Sequence, residues 1–110
     1  MFEVRRTSSN VQGESVNGYS RMVREEDISF LAEAGSTGLF GEEGRDSRSR
    51  SYVGLVCEAP DVFFDPVWNR EGKTVGVLIS GCGDSVLEAL VAALEFVLTT
   101  LRDARSGKVD

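Results

Sequence analysis

The residues best equipped for chemistry lie between Gly35 and Arg50, in the run GSTGLFGEEGRDSRSR. Gly35, Gly38, Gly41 and Gly44 recur at every third position, and Arg45, Arg48 and Arg50 follow them. Glycines let backbone N–H groups approach a ligand closely, and guanidinium groups grip a phosphate or carboxylate as a fork. The pattern therefore predicts a flexible Gly/Arg/Ser-rich surface loop over 35–50. Its Gly38, Gly41, Gly44, Arg45, Arg48 and Arg50 would hold a nucleotide or another anionic small molecule. Neither the phosphate-loop pattern G-x-x-x-x-G-K-[ST] nor G-x-G-x-x-G occurs. A solvated linker whose arginines pair with Glu42, Glu43 and Asp46 explains the same residues with fewer assumptions.

Other reactive groups are sparse. Cys82 sits between Gly81 and Gly83 at an expected strand-to-helix junction, where a helix N-terminus favours a thiolate. No histidine or adjacent lysine completes the activation, so a tight turn built from small residues is the simpler account. Glu58, Asp61 and Asp65 cluster around Pro60, but without the spacing of a calcium loop, and they read as solvated loop charges. The chain contains no histidine at all. That excludes histidine-activated nucleophiles and imidazole zinc sites. The expectation is a protein that is not an enzyme and carries neither a cofactor nor a metal.

Aromatic residues offer a different kind of chemistry. Phe63, Phe64 and Trp68 lie close together in a stretch broken by Pro66, with Tyr52 upstream. Large rings near an edge strand are the usual anchors of a protein partner, although in a small domain they equally fill the core.

The elements that must position these groups are clearest at the C-terminus. Ser85 and Glu88 have the S-x-x-E spacing of a capping box, Arg102 and Arg105 complement the helix dipole, and Gly107 can end the helix. A helix is expected from Ser85 to Arg105. Leu87, Leu90, Val91, Leu94, Leu98 and Leu101 form one apolar stripe, expected to pack on the sheet. Val86, Ala89, Ala93, Phe96 and Val97 form a second stripe on its flank. Only Glu88, Glu95, Thr99 and Arg102 are left as a polar strip. One sheet cannot shield both stripes, so Phe96 and Val97 are expected to meet either the N-terminal half or a second copy of the chain. The step from Gly83 to Leu90 resembles the strand–turn–helix step of HicB-like antitoxins. The resemblance covers eight residues, mostly of capping chemistry, and implies nothing about activity.

Upstream, Thr74 to Ser80 alternates as a strand, preceded by a hairpin turn over Asn69 to Lys73 with Gly72 at the positive-φ position. Its partner runs through Val62 to Trp68, which Pro66 confines to an edge. Ser51 to Glu58 is apolar on both faces and is expected to be a central strand. In the first half, Phe2 and Val4 begin an edge strand. Thr7 to Ser20 reads as loop or weak hairpin, and Ser20 to Ala34 as a short helix ended by Gly35. The expected fold is a single α+β domain over residues 1–110. It comprises a small antiparallel sheet of three to five strands, a long C-terminal helix across one face, and a shorter N-terminal helix.

The 110 residues are 41% hydrophobic and 27% charged, enough for one thin core. A net charge of −6 argues against duplex nucleic acid and anionic membrane surfaces as partners. Cys57 and Cys82 without a C-x-x-C pair, and an N-terminus that turns polar at once, lead to the expectation of a cytoplasmic protein. The leading expectation is a non-enzymatic interaction protein acting as a homodimer or higher homo-oligomer. It would be a small regulator, inhibitor or assembly factor of the kind phages and mobile elements encode, with a protein partner of unknown identity. A binder of anionic metabolites is the alternative.

Overall fold

A computed structural model describes residues 3–37, 39 and 49–106. The chain is α+β, with six strands in two antiparallel sheets and one long C-terminal helix among the described residues. Strands β1 (Arg5–Val11), β2 (Glu14–Glu25), β3 (Ile28–Ser36) and β4 (Ser51–Val56) form a sheet in sequential order. Strands β5 (Val62–Trp68) and β6 (Thr74–Gly81) form a separate two-stranded sheet, and α1 runs Asp84–Ser106.

Two-residue turns set the register of the first three strands. Gln12 and Gly13 both have positive φ, 51° and 89°, the signature of a turn whose twist matches a hairpin. The Gly13 N–H donates to Asn10 Oδ1 at 3.1 Å. At the next corner Glu26 takes a φ of 55°, and Arg24 Nε donates to its carbonyl at 2.8 Å. These turns decide one expectation for the hairpin alternative and correct another. Residues 7–20 contain a well-formed hairpin, and the short helix over Ser20–Ala34 does not exist. Ile28, Phe30, Ala32 and Ala34 are all buried at alternate positions, so the period is two and their shared face is a strand face. Gly35, read as a helix cap, is instead paired with Gly18 and Tyr52 in the sheet.

Strand β4 also departs from expectation. It is the outer member of the four-stranded sheet, not a central strand, and Val53 and Val56 on its two faces are exposed. The β5–β6 turn follows the sequence closely. Gly72 has a φ of 80°, and Asn69 Oδ1 accepts from the Glu71 and Lys73 N–H groups at 2.9 and 3.1 Å. Pro66 pairs opposite Val77 without a missing third strand to bond, because both strands of a two-stranded sheet are edges.

Helix α1 begins at Asp84, so Ser85 lies inside the first turn, and the Leu87 N–H donates to the Gly83 carbonyl at 3.3 Å. The helix lies across β2 and β3. Its sheet-facing side is Val86, Ala89, Ala93, Val97, Thr100 and Ala104, not the leucine stripe. Opposite stand Val23, Phe30, Ala32 and Ala34. Alanine against alanine lets the helix axis approach the sheet until Phe30 fills the remaining space, and dispersion contacts reward that density. Leucines on the same face would hold the two layers apart. Thr100, the polar member of this face, donates its hydroxyl to the Phe96 carbonyl at 2.9 Å.

Candidate interaction surfaces

With the small residues turned inward, the large ones of the helix face water. Leu87, Val91, Leu94 and Leu98 are each between 44% and 57% exposed. Successive members are four, three and four residues apart, and Leu101 extends the row by three, the spacing of a helix–helix seam. Leu98 and Leu101 border a groove of about 370 Å³ whose other walls are Ser36, Ser51, Arg102 and Arg105. The stripe therefore looks toward the β4 side of the molecule. There Val53, opposite Ala34 in register and so on the helix-bearing face, is 59% exposed.

The β5–β6 hairpin is a second apolar surface. Val62 is buried and Ile79 half-buried against the core at its base. Gly81 is required there, because a Cβ would come within 2.6 Å of the Val86 side chain and 3.0 Å of the Asp61 carbonyl. Beyond that base the two strands touch little except each other. The radius of gyration is 15.2 Å, against about 13 Å for a compact chain of this length, and the molecule is a plate of 44 × 42 × 19 Å. Cross-strand pairs Phe64–Ile79 and Pro66–Val77 make one face of the hairpin almost wholly apolar, and Val75 continues it. The other face carries Phe63, Val67 and Leu78 beside Asp65 and Ser80. An isolated two-stranded hairpin is at best marginally stable in water, so an arm this apolar gains from a cover.

The structure sorts the expected partner-binding residues into two groups. Phe63, Phe64 and Trp68 are exposed on the arm, with Phe63 and Phe64 on opposite faces and Trp68 beyond a register shift after Val67. Val97 is buried in the chain's own core, whereas Phe96 packs against that core half-buried and lines the clefts between β2 and α1. The exposed stripe Leu87, Val91, Leu94 and Leu98 takes their place, and its seam spacing was present in the sequence.

Of the anion-binding set, Gly38, Gly41, Gly44, Arg45 and Arg48 lie outside the described residues. Arg50 lies within them and pairs with the Glu14 carboxylate through its Nη1. Its backbone is tied to Thr37: the Thr37 N–H donates to the Arg50 carbonyl at 2.9 Å, and the Arg50 N–H to Thr37 Oγ1 at 3.0 Å. A larger cleft of about 730 Å³ opens between β2 and α1. Its walls alternate Arg21 and Arg24 with Glu25, Glu26 and Glu95, which leaves no single sign of charge to select a ligand. Cys82 is exposed and Cys57 half-buried, both as free thiols. Among the described residues, no group of three His, Cys, Asp or Glu side chains could hold a metal ion. No helix among them is long and apolar enough to cross a membrane.

On the sheet face away from the helix, Tyr52 lies across Gly18 and Gly35. A Cβ on either glycine would stand within 2.5 Å of the tyrosine side chain. The Tyr52 hydroxyl is closed off from water with no hydrogen-bond partner among the described residues. Burial, and secondarily the Glu33 carboxylate, push its pKa above the usual phenol value. The folded state thus holds the phenol proton more tightly than the unfolded chain. The stability this represents is present below the unfolded pKa and is lost as pH rises through the folded one. Tyr52→Phe removes a buried unsatisfied hydroxyl, and is expected to leave neutral-pH stability unchanged or higher. It should also flatten the alkaline fall in stability above about pH 10. Denaturant midpoints measured between neutral and strongly alkaline pH check both signs.

No protein-family model, curated protein or solved structure matches this chain.

Proposed function

We infer that this chain is a non-enzymatic protein-interaction module that works as a homo-oligomer, in the manner of a small regulator, inhibitor or assembly factor. One observation carries the reading: apolar side chains stand in water on both the helix and the hairpin arm. Single exposed leucines are ordinary, whereas an apolar row along a helix beside an apolar arm marks an association surface. Support also comes from the chemistry of the chain, which has no histidine. The two free thiols favour a reducing compartment such as the cytoplasm.

Size-exclusion chromatography with light scattering tests the reading directly. The full chain at micromolar concentration is expected to show at least twice its 12.0 kDa mass. A strict 12.0 kDa monomer across that range would remove self-association from the proposal.

A further inference from the structure

We propose that the occupant of the leucine stripe is the same stripe of a second copy, with the two α1 helices antiparallel about a two-fold axis near Leu94. The inference rests on the homo-oligomer reading above and specifies its geometry. Three observations single out this occupant.

The first is space. Four strands about 4.8 Å apart present a face roughly wide enough for two helices of about 10 Å diameter. Among the described residues one helix lies there, over β2 and β3, and Val53 on β4 is exposed beside it. A second helix packed 8–10 Å from the first on its stripe side, the usual interaxial distance, would stand above that strand with its own sheet turned away.

The second is the seam. Leu87, Val91, Leu94, Leu98 and Leu101 follow four-three-four-three spacing, so two copies interdigitate along about 20 Å of helix.

The third is charge, and it fixes the direction. The first half of α1 carries Asp84, Glu88 and Glu95 and no base, while both bases, Arg102 and Arg105, lie in the second half with a single acid, Asp103. Glu88, Glu95 and Arg102 each come one residue after a stripe position, along one edge of the seam, where flanking charges meet their counterparts. In an antiparallel pair, Glu88 of each copy faces Arg102 of the other, two attractive pairs against a single Glu95–Glu95 approach at the axis. Asp84 likewise approaches the groove edged by Arg102 and Arg105. A parallel pair would bring like charges to the same level of the seam and lose both attractive pairs.

A single helix seam is small beside the roughly 800 Å² per partner of a stable interface. Antiparallel pairing supplies the rest. Each hairpin springs from the N-terminal end of its own helix at Gly81 and Val86. Pairing places that arm beside the C-terminal half of the partner's helix. The apolar face around Phe64 and Val77 is then within reach of the second copy.

The test uses the full chain and sedimentation equilibrium. Leu94→Glu places a charge at the centre of the seam, and is expected to raise the dimer dissociation constant by at least about a hundredfold. Its helical circular dichroism should be unchanged. Glu88→Arg and Arg102→Glu are each expected to weaken the dimer by about tenfold, and the double variant to restore it to within about threefold. A dimer that survives Leu94→Glu would overturn this interface while leaving the homo-oligomer reading intact. Charge reversals without effect, or without mutual rescue, would overturn the antiparallel pairing even if Leu94→Glu unfolds. A monomeric parent chain would overturn both.

Discussion

Phe30→Ala is expected to lower the stability of the chain by about 3–5 kcal/mol and its melting temperature by at least about 10 °C. Phe30 has no solvent exposure and is one of the largest fully buried side chains. Its position explains the size of the effect. Ala32, Ala34, Ala89 and Ala93, members of the same core cluster, have little side chain with which to collapse into the space a ring leaves. The cavity would remain, and its cost adds to the lost transfer free energy. A domain with about 5–15 kcal/mol in total loses a large share of its stability from one such change. Phe64→Ala on the hairpin is the matched control, since Phe64 is exposed on the arm and lies outside the buried core cluster. It should leave the melting temperature of the monomer within about 2 °C. A shift of under 5 °C for Phe30→Ala, read by calorimetry, would mean that helix and sheet close up around the vacancy (about 1 kcal/mol at this size).

How much of this was legible in the residues depended on whether one local rule applied or two competed. The long helix was readable because its apolar periodicity, its acidic first turn and its basic last turn agreed. The Asn69–Lys73 turn was readable because a glycine at a positive-φ position and an asparagine that caps its neighbours point the same way. Residues 20–34 misled because Val23, Ile28, Leu31 and Ala34 satisfy a loose helical spacing, while Ile28, Phe30, Ala32 and Ala34 satisfy a strict alternation. Strand pairing with β2 and β4 decided for the alternation, and pairing is not a local property. Ser51–Val56 misled for a related reason. Apolar residues on both faces normally mean a central strand, but here they mark an edge with Val53 and Val56 exposed. The same ambiguity runs through the candidate site. The exposure of Phe63, Phe64 and Trp68 follows from Pro66 and a two-stranded arm, which the sequence does signal. The inward turn of Phe96 and Val97 follows from the helix orientation, which hydropathy alone does not reveal.

That orientation can be tested by adjacent substitutions. Ala93→Leu is expected to cost about 3 kcal/mol or more, because Ala93 is fully buried against the sheet and added carbons must push helix and strand apart. Leu94, one residue on, is 49% exposed and makes no part of the buried cluster. Leu94→Ala should therefore leave the intramolecular packing unchanged. Any loss of melting temperature it causes must come from association, and would shrink as protein concentration falls, whereas the loss from Ala93→Leu would not. Thermal melts of both variants over a hundredfold range of concentration separate the two faces. If instead Ala93→Leu were tolerated and Leu94→Ala destabilised equally at every dilution, the leucines would be the ones packed on the sheet. The alanine face would then be the outer one, and both the core and the self-association surface described here would have to change places.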